Sequence, residues 1–205
     1  MRRLMWVVTG LVLACGPAGG GDGAAAAGNA ADLRGRVLPQ PLAKPEVVFT
    51  DTEGRPYDLR RETEGFLTLL FFGYTHCPDV CPVHMANIAA VLKGLPPSVT
   101  TRVKVLFVTT DPARDTPERL RTWLAQFDPS FVGLAGDTAT VNRAQAAVQL
   151  PPSQLGEVDS AGSYLVGHAA AVVAFTPDGL ARVMYPFGIR QADWAHDIPK
   201  LLAFR

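Results

Sequence analysis

Short, strongly apolar runs are spaced along the chain and predict the strands of a sheet. The run Leu67–Phe72 is nearly continuous in apolar residues, which is typical of a strand buried on both faces, and Gly73 ends it. The other predicted strands are Val103–Thr109, Phe131–Leu134, Ala169–Phe175 and Ala181–Tyr185. The last two flank Pro177-Asp178-Gly179, a turn sequence, and therefore predict a hairpin.

Segments with apolar residues at helical spacing separate these strands. Pro82 suits the first turn of a helix that runs to Gly94. A second helix, reaching Phe127, follows a cap residue, a first-turn proline and an early negative charge in Asp115-Thr116-Pro117-Glu118. Thr138–Val148 and Gln191–Phe204 predict two more helices.

The order of these elements predicts the fold class. Parallel strand–helix units are followed by an antiparallel hairpin and a final helix, which is the order of a thioredoxin-like fold. We therefore expect a three-layer α/β/α domain with a central mixed sheet over residues 41–205, a length that suits one core. The segment Pro45–Leu59 predicts an additional N-terminal hairpin.

The N-terminus has the features of an export signal. Arg2 and Arg3 precede the apolar segment Leu4–Ala14, whose eleven residues are too few to cross a membrane as a helix, since that takes about 20 residues. The sequence Val12-Leu13-Ala14-Cys15 resembles a bacterial lipobox, which implies cleavage before Cys15 and a lipid on that cysteine. Residues 1–15 are thus interpreted as a lipoprotein signal peptide. A plain signal, cleaved nearby, is the alternative.

Residues 16–40 are expected to form a flexible tether. The stretch Gly16–Ala31 is almost entirely Gly and Ala, with no aromatic residue and one charge, so it cannot bury enough apolar surface to fold. The whole chain has 19 basic and 19 acidic residues, and losing residues 1–15 removes two arginines and leaves a net charge of −2. The sequence has no basic patch that would indicate nucleic-acid binding. We expect an exported protein at a periplasmic or other extracytoplasmic membrane face.

Cys77 and Cys81 are the main candidates for chemistry. Two cysteines in an exported domain are too few for a disulfide framework, which favours working thiols. At positions i and i+4 they share one face if the second opens a helix, and the helix N-terminus favours thiolate over thiol. The pair therefore predicts a soft metal site, a redox dithiol, or both. Its surroundings are Gly73-Tyr74-Thr75-His76-Cys77-Pro78-Asp79-Val80-Cys81-Pro82.

His168 is the candidate third ligand, because the predicted fold brings the residues ahead of the hairpin beside the dithiol helix. Two thiolates and one imidazole suit Cu(II), while the thiolates alone can hold Cu(I). His76 and His84 are competing ligands, and His84 with Cys81 would make a local zinc-like set. His196 lies in the last predicted helix and is expected to be solvated.

The cysteine motif, His168 and a second motif together resemble the Sco (SenC) family of copper-delivery proteins, from about Pro45 onward. The second motif is Asp111-Pro112-Ala113-Arg114-Asp115-Thr116-Pro117. The resemblance implies that Cys77, Cys81 and His168 are copper ligands on a membrane-tethered, thioredoxin-like domain. The family often places an aspartate before the ligand histidine and a serine after it, where this chain has Gly167 and Ala169. A partner that orients the imidazole is then missing or supplied elsewhere.

The same resemblance implies a role in assembling the binuclear copper centre of cytochrome c oxidase. The chain would donate copper, reduce the receiving cysteines, or do both. Its expected partners are the copper-receiving oxidase subunit, other periplasmic copper carriers, and the membrane through lipid on Cys15. The sequence favours a metallochaperone over an enzyme. A thiol-disulfide oxidoreductase is the alternative, since a Cys77–Cys81 disulfide is feasible at this spacing, and a thiol peroxidase is a third reading.

The remaining polar and aromatic candidates are assigned mainly to structure. Asp79, between the cysteines, either offsets the charge of a bound cation or caps the helix. Asp111 and Asp115 are assigned to turns and caps. Three aromatic residues at helical positions are expected to pack in the core: Trp123, Phe127 and Trp194.

Overall fold

The computed structural model describes residues 30–204. Its helices are α1 (Val80–Gly94), α2 (Pro97–Thr100), α3 (Pro117–Ala125), α4 (Thr138–Ala147) and α5 (Gln191–Leu201), with a short 3-10 turn at Arg61–Thr63. Its strands are β1 (Arg36–Ala43), β2 (Val48–Asp51), β3 (Pro56–Asp58), β4 (Leu67–Gly73), β5 (Val103–Thr109), β6 (Val132–Ala135), β7 (Gln154–Leu155), β8 (Val166–Gly167), β9 (Ala171–Phe175) and β10 (Leu180–Pro186).

Eight of these strands form one mixed sheet in the order β1-β10-β9-β4-β5-β6-β2-β3. Strands β4, β5 and β6 run parallel, and every other neighbour in the sheet is antiparallel. Strands β7 and β8 pair separately. Apolar cores lie on both faces of the sheet, so the predicted three-layer α/β/α architecture is confirmed.

Strand β4 lies in the middle of the eight-stranded sheet, and each of its residues is buried. Side chains alternate across the sheet, so Leu69 and Phe71 enter the core that holds α1, α3 and α5, while Leu70 and Phe72 enter the core that holds α4. A strand buried on both faces needs a nearly continuous apolar run, which the sequence supplies. The carboxyl end of β4 therefore leads from the middle of the domain directly into the cysteine loop.

Most predicted elements are confirmed with small shifts at their ends. Helix α1 ends at Gly94 as predicted, and α3 begins at Pro117 behind Thr116, whose hydroxyl accepts from the Arg119 amide at 3.2 Å. Helix α3 ends at Ala125, before the predicted limit at Phe127. The predicted N-terminal hairpin is also present, because β2 pairs antiparallel with β3.

Strand β1 was not predicted, and it corrects the expected limit of the tether at residue 40. Residues 36–40 belong to β1, which pairs antiparallel with β10 at the sheet edge. The sequence does not indicate this strand, because its residues are mostly exposed and two of them are prolines, Pro39 and Pro41. Proline in a strand is tolerated only at an edge or a bulge. The register shifts between Val37 and Leu42. The predicted signal peptide and residues 16–29 of the predicted tether lie outside the described residues.

The segment before β1 is fastened to α5 by a buried carboxylate. Asp197 accepts from the backbone amides of Arg34 and Gly35 and from the Tyr185 hydroxyl, at 2.9 to 3.0 Å. His196 was expected to be solvated, but its ring is partly buried and its Nδ1 lies 2.8 Å from Asp197 Oδ1. The folded domain thus includes Arg34.

The predicted aromatic core residues differ in burial. Trp194 is fully buried and stacks on Tyr185 with ring centroids 3.8 Å apart, while Trp123 and Phe127 pack against the core from partly exposed positions. Among residues 30–204, no helix combines the length and the apolar character needed to cross a membrane.

Candidate metal centre

Three parts of the fold bring Cys77, Cys81 and His168 together. Cys77 lies in the loop after β4, Cys81 is the second residue of α1, and His168 directly follows β8. Their ligand atoms all lie within 4.8 Å of one another, and Cys81 Sγ is 3.3 Å from His168 Nε2. The structure therefore assembles the three side chains that the sequence proposed as ligands, although they are separated by up to 91 positions in the chain.

Gly73 makes room for one of the sulfur atoms. A Cβ atom at this position would lie 2.7 Å from Cys81 Sγ and 2.8 Å from Phe71 Cε1, closer than such atoms approach in proteins. Only a residue without a side chain therefore lets the Cys81 sulfur rest against the end of β4. The glycine that ends the strand in the sequence is also part of the site.

The two thiols have opposite electrostatic environments. Cys77 is partly exposed, and its pKa is lowered to about 4, chiefly because the Cys81 thiol hydrogen-bonds to it. Hydrogen bonds from His168 and from the backbone of Cys81 and Asp79 lower the pKa further, while burial opposes the shift. Cys81 is fully buried, and burial raises its pKa above the ordinary range, with Cys77 adding to the shift. The reduced pair therefore holds an accessible thiolate beside a buried thiol.

The His168 ring is held by its neighbours. Its Nδ1 lies 3.2 Å from the Ala169 carbonyl oxygen, which can accept from Nδ1–H, and its Nε2 faces Cys81 as the nitrogen that a metal ion would bind. The rings of Phe71 and Tyr74 each lie edge-on at 5.7 Å. A backbone carbonyl thus supplies the orienting partner that Gly167 cannot provide, which settles the alternative left open by the sequence.

The competing histidines do not join this group. Within residues 30–204, the cluster of three metal-ligating side chains is formed by Cys77, Cys81 and His168. His84 is buried between the rings of Phe71 and Phe187, at 5.0 and 5.7 Å, and the zinc-like set with Cys81 is not formed. His76 is exposed and lies 3.6 Å from an Asp115 oxygen.

The acidic residues agree with their predicted roles only in part: Asp111 lies in the expected turn, where its carbonyl oxygen accepts from the Arg114 and Asp115 amides. Asp79 occupies the N-cap position of α1 but its side chain makes no capping hydrogen bond. Asp111 is buried and accepts from the Tyr164 hydroxyl at 2.9 Å. Asp115 was assigned to a turn or cap, yet the cap of α3 is Thr116 and Asp115 is buried beside the cysteine loop. Its partners lie 6 and 40 positions away, which a reading of local spacing could not reveal.

The donor set limits the chemistry. Two soft thiolate sulfurs and one imidazole nitrogen suit copper, and a structural zinc site would need a fourth donor. A three-coordinate arrangement leaves one side open to an incoming ligand. The same two thiols can also take part in disulfide exchange, because one is an accessible thiolate.

Comparison of the chain with models of known protein families shows which family it belongs to. The model of the family described as SCO1/SenC matches residues 39–203. The chain belongs to the SCO1/SenC family. The predicted resemblance is confirmed, and the match includes both cysteines and the histidine of the site.

Individual Sco relatives agree with this assignment. The chain is 32% identical over 146 residues to a Stutzerimonas stutzeri protein named for copper binding, spanning 71% of this chain and 70% of that protein. The solution structure of apo Sco1 from Thermus thermophilus has a TM-score of 0.70 and 32% identity, covering 83% of this chain and 97% of that one. Bradyrhizobium japonicum ScoI with copper bound has a TM-score of 0.67 and 29% identity, covering 80% and 98%. The chain spans only 43% of yeast mitochondrial SCO2.

The unequal thiols predict unequal reactivity. With iodoacetamide under reducing conditions, Cys77 should react first, at a rate that is nearly constant from about pH 6 to 8 and falls as the pH approaches the pKa of about 4. Mass spectrometry of peptides over a pH series measures this. In Cys81→Ala, which removes the hydrogen-bond donor, the pKa of Cys77 should rise and its rate at pH 6 should drop. A parent rate that climbs about tenfold per pH unit between 6 and 8 would contradict the assignment.

Gly73→Ala tests the close approach of the sulfur. The added methyl group should displace Cys81 Sγ and lower the free energy of unfolding by about 1–3 kcal/mol, as overpacking does. Denaturant titration measures the loss, and the rate of Cys81 alkylation should increase because its burial is disturbed. Gly94→Ala is the matched control, since its Cβ would meet nothing within 4 Å. Equal stability of both variants would refute the packing argument.

Proposed function

We propose that this Sco/SenC chain is a copper chaperone that binds copper through Cys77, Cys81 and His168 and assists assembly of the binuclear copper centre of cytochrome c oxidase. The observation that carries the proposal is the convergence of two sulfurs and one imidazole nitrogen within 4.8 Å. That donor set suits both Cu(I) and Cu(II). Support also comes from the family and from its copper-bound member of similar structure in Bradyrhizobium japonicum.

Copper capture begins at the accessible thiolate. Cys77 is already deprotonated at neutral pH and provides the first ligand, while Cys81 must lose its proton when it binds. One proton is therefore released for each copper ion bound. The affinity should fall by about tenfold for each pH unit below neutrality, down to the pKa of Cys77.

Copper release follows the exposure of the ligands. Cys77 and His168 are partly exposed, whereas Cys81 is buried. An incoming cysteine or histidine of the oxidase subunit can occupy the open side and replace the exposed donors first. Cys81 then leaves last, so copper passes through a shared-ligand intermediate without entering solution.

The thiol asymmetry also favours a second candidate, a thiol-disulfide reductase for the receiving oxidase cysteines. The Cys77 thiolate attacks a partner disulfide and forms a mixed disulfide. Cys81 then gives up its proton and displaces the partner thiolate, so the Cys77–Cys81 disulfide forms while the partner becomes a dithiol. Copper binding and this reduction share the same sulfurs, and oxidation therefore closes the copper site.

The proposed location is an extracytoplasmic membrane face, with lipid attached to Cys15. The charged start, the short apolar segment and the lipobox-like sequence support an exported lipoprotein. A tether of Gly and Ala before the folded domain would let the site reach a membrane-bound oxidase subunit and other periplasmic copper carriers.

Anaerobic copper titration of the reduced domain tests the function. The parent should bind one copper ion, Cys77→Ser and Cys81→Ser should each lose stoichiometric Cu(I) binding, and His168→Ala should lose Cu(II) affinity while retaining Cu(I). Cu(I) is measured by competition with a chromophoric chelator, and Cu(II) by its thiolate charge-transfer absorption. His196→Ala is the matched control and should bind like the parent, since His196 lies in α5 outside the cluster.

Two outcomes would redirect the proposal. A parent that binds no copper but reduces a partner disulfide rapidly would replace the chaperone with the oxidoreductase. A His168→Ala protein that holds Cu(II) as tightly as the parent would remove His168 from the ligand set.

The anchor has its own test. Intact mass measurement of the protein from bacterial membranes should show a chain that begins at Cys15 and carries acyl groups. Cys15→Ser should yield an unacylated protein that no longer sediments with membranes. Recovery of an unmodified mature chain from the parent would show a plain export signal instead.

A further inference from the structure

The carboxylate of Asp115 is placed behind the cysteine loop, and neither the proposed ligand set nor the cap of α3 uses it. The Asp115 side chain has no exposed surface. Thr116 performs the capping, since its hydroxyl accepts from the Arg119 amide. The buried acid therefore needs another explanation.

Asp115 joins the start of the cysteine loop to the end of a neighbouring strand. Its Oδ2 accepts from the Thr75 amide at 2.9 Å and from the Thr109 hydroxyl at 2.7 Å, and its Oδ1 accepts from the Thr75 hydroxyl at 2.6 Å. Thr75 lies two residues before Cys77, and Thr109 is the last residue of β5, opposite Gly73 in the sheet. One carboxylate thus fixes the backbone that leads from β4 into Cys77.

The hydrogen bonds that Asp115 accepts from Thr75 and Thr109 do not require a negatively charged side chain. All three donors are neutral N–H or O–H groups. An asparagine carbonyl oxygen could accept from the Thr75 amide and the Thr109 hydroxyl as Oδ2 does, and its amide N–H could donate to the Thr75 hydroxyl oxygen in a reversed third bond. The neighbouring basic side chains are exposed: Arg119 donates to the Thr75 hydroxyl at 2.8 Å, and the His76 ring lies 3.6 Å from Oδ1. Burying a charge beside neutral donors is costly, which indicates that the charge has an electrostatic task.

The field of this carboxylate reaches the ligands. The carboxylate holds Thr75, which lies two residues before Cys77 in the loop that leads on to Cys81. Because Asp115 and Cys81 are both fully buried, solvent screens their interaction less than it screens Arg119 at the surface. A fixed negative charge attracts a divalent ion more strongly than a monovalent one.

We propose that Asp115 is a positioning residue of this site, which fixes the start of the cysteine loop and biases bound copper toward Cu(II) through its negative charge. This inference rests on the proposed copper-binding function. Asp115 contacts no copper ligand directly and acts through Thr75 and through its field. It supplies, from beneath the loop, an acidic group that Gly167 does not supply beside His168.

The test compares Asp115→Asn with the parent in affinity for Cu(I) and for Cu(II) and in the midpoint potential of the bound copper. Removing the charge while keeping the shape should lower Cu(II) affinity about tenfold more than Cu(I) affinity, which raises the potential by about 59 mV for one electron. A purely structural role would weaken both oxidation states alike and leave the potential unchanged. That result, or an unchanged affinity ratio, would overturn the proposal.

Thr109→Val is the matched variant, and it should change the ratio of Cu(II) to Cu(I) affinity in the direction opposite to Asp115→Asn. It removes one hydroxyl donor from Asp115 Oδ2 but keeps the charge, and the less neutralised carboxylate should raise the ratio of Cu(II) to Cu(I) affinity. If Asp115→Asn does not fold, Thr109→Val decides the matter alone, since a ratio that stays constant or falls would reject the electrostatic role. A parent that binds no copper would overturn the proposed function together with this inference. Copper binding with no response to either substitution would overturn the inference alone.

Discussion

The close packing of the Cys81 sulfur against the end of β4 is the contact on which the site depends. Cys81 has no exposed surface, and its sulfur occupies the space that a side chain at Gly73 would fill. This contact fixes the start of α1 relative to the central strand. His168 Nε2 lies 3.3 Å from the same sulfur, so a proposed metal ligand is also part of the core.

The burial of Cys81 explains why one pair of thiols can serve two kinds of chemistry. A buried thiol with a raised pKa keeps its proton until a metal ion or a mixed disulfide makes the thiolate favourable, while Cys77 stays charged and reachable. Metal capture and disulfide exchange thus both begin at the Cys77 sulfur, and both are completed by the Cys81 sulfur. Both reactions need the reduced pair, because a Cys77–Cys81 disulfide offers no thiolate to copper or to a partner disulfide.

The sequence predicted the parts of this site that local pattern encodes. The apolar run of β4, the helix signals of α1 and the spacing of Cys77 and Cys81 are local, and His168 was reached through the predicted strand order and the family motif. Local pattern missed β1, whose exposed residues and prolines resemble a loop. It also misassigned Asp115, because contacts with Thr75 across 40 positions depend on how two strand ends meet in space.

The outer contacts of the site come from the backbone and from more distant parts of the fold, since the side chains beside His168 contribute none of them. Gly167 leaves His168 without an acidic neighbour, and the ring is oriented by the Ala169 carbonyl and by the edges of Phe71 and Tyr74. A carbonyl dipole orients the imidazole but adds less negative charge than a carboxylate would. The charge that favours a divalent ion must then come from elsewhere, and Asp115 is the buried carboxylate that the cysteine loop itself holds in place. Orientation and charge are thereby assigned to separate residues, so each can be altered without removing the other.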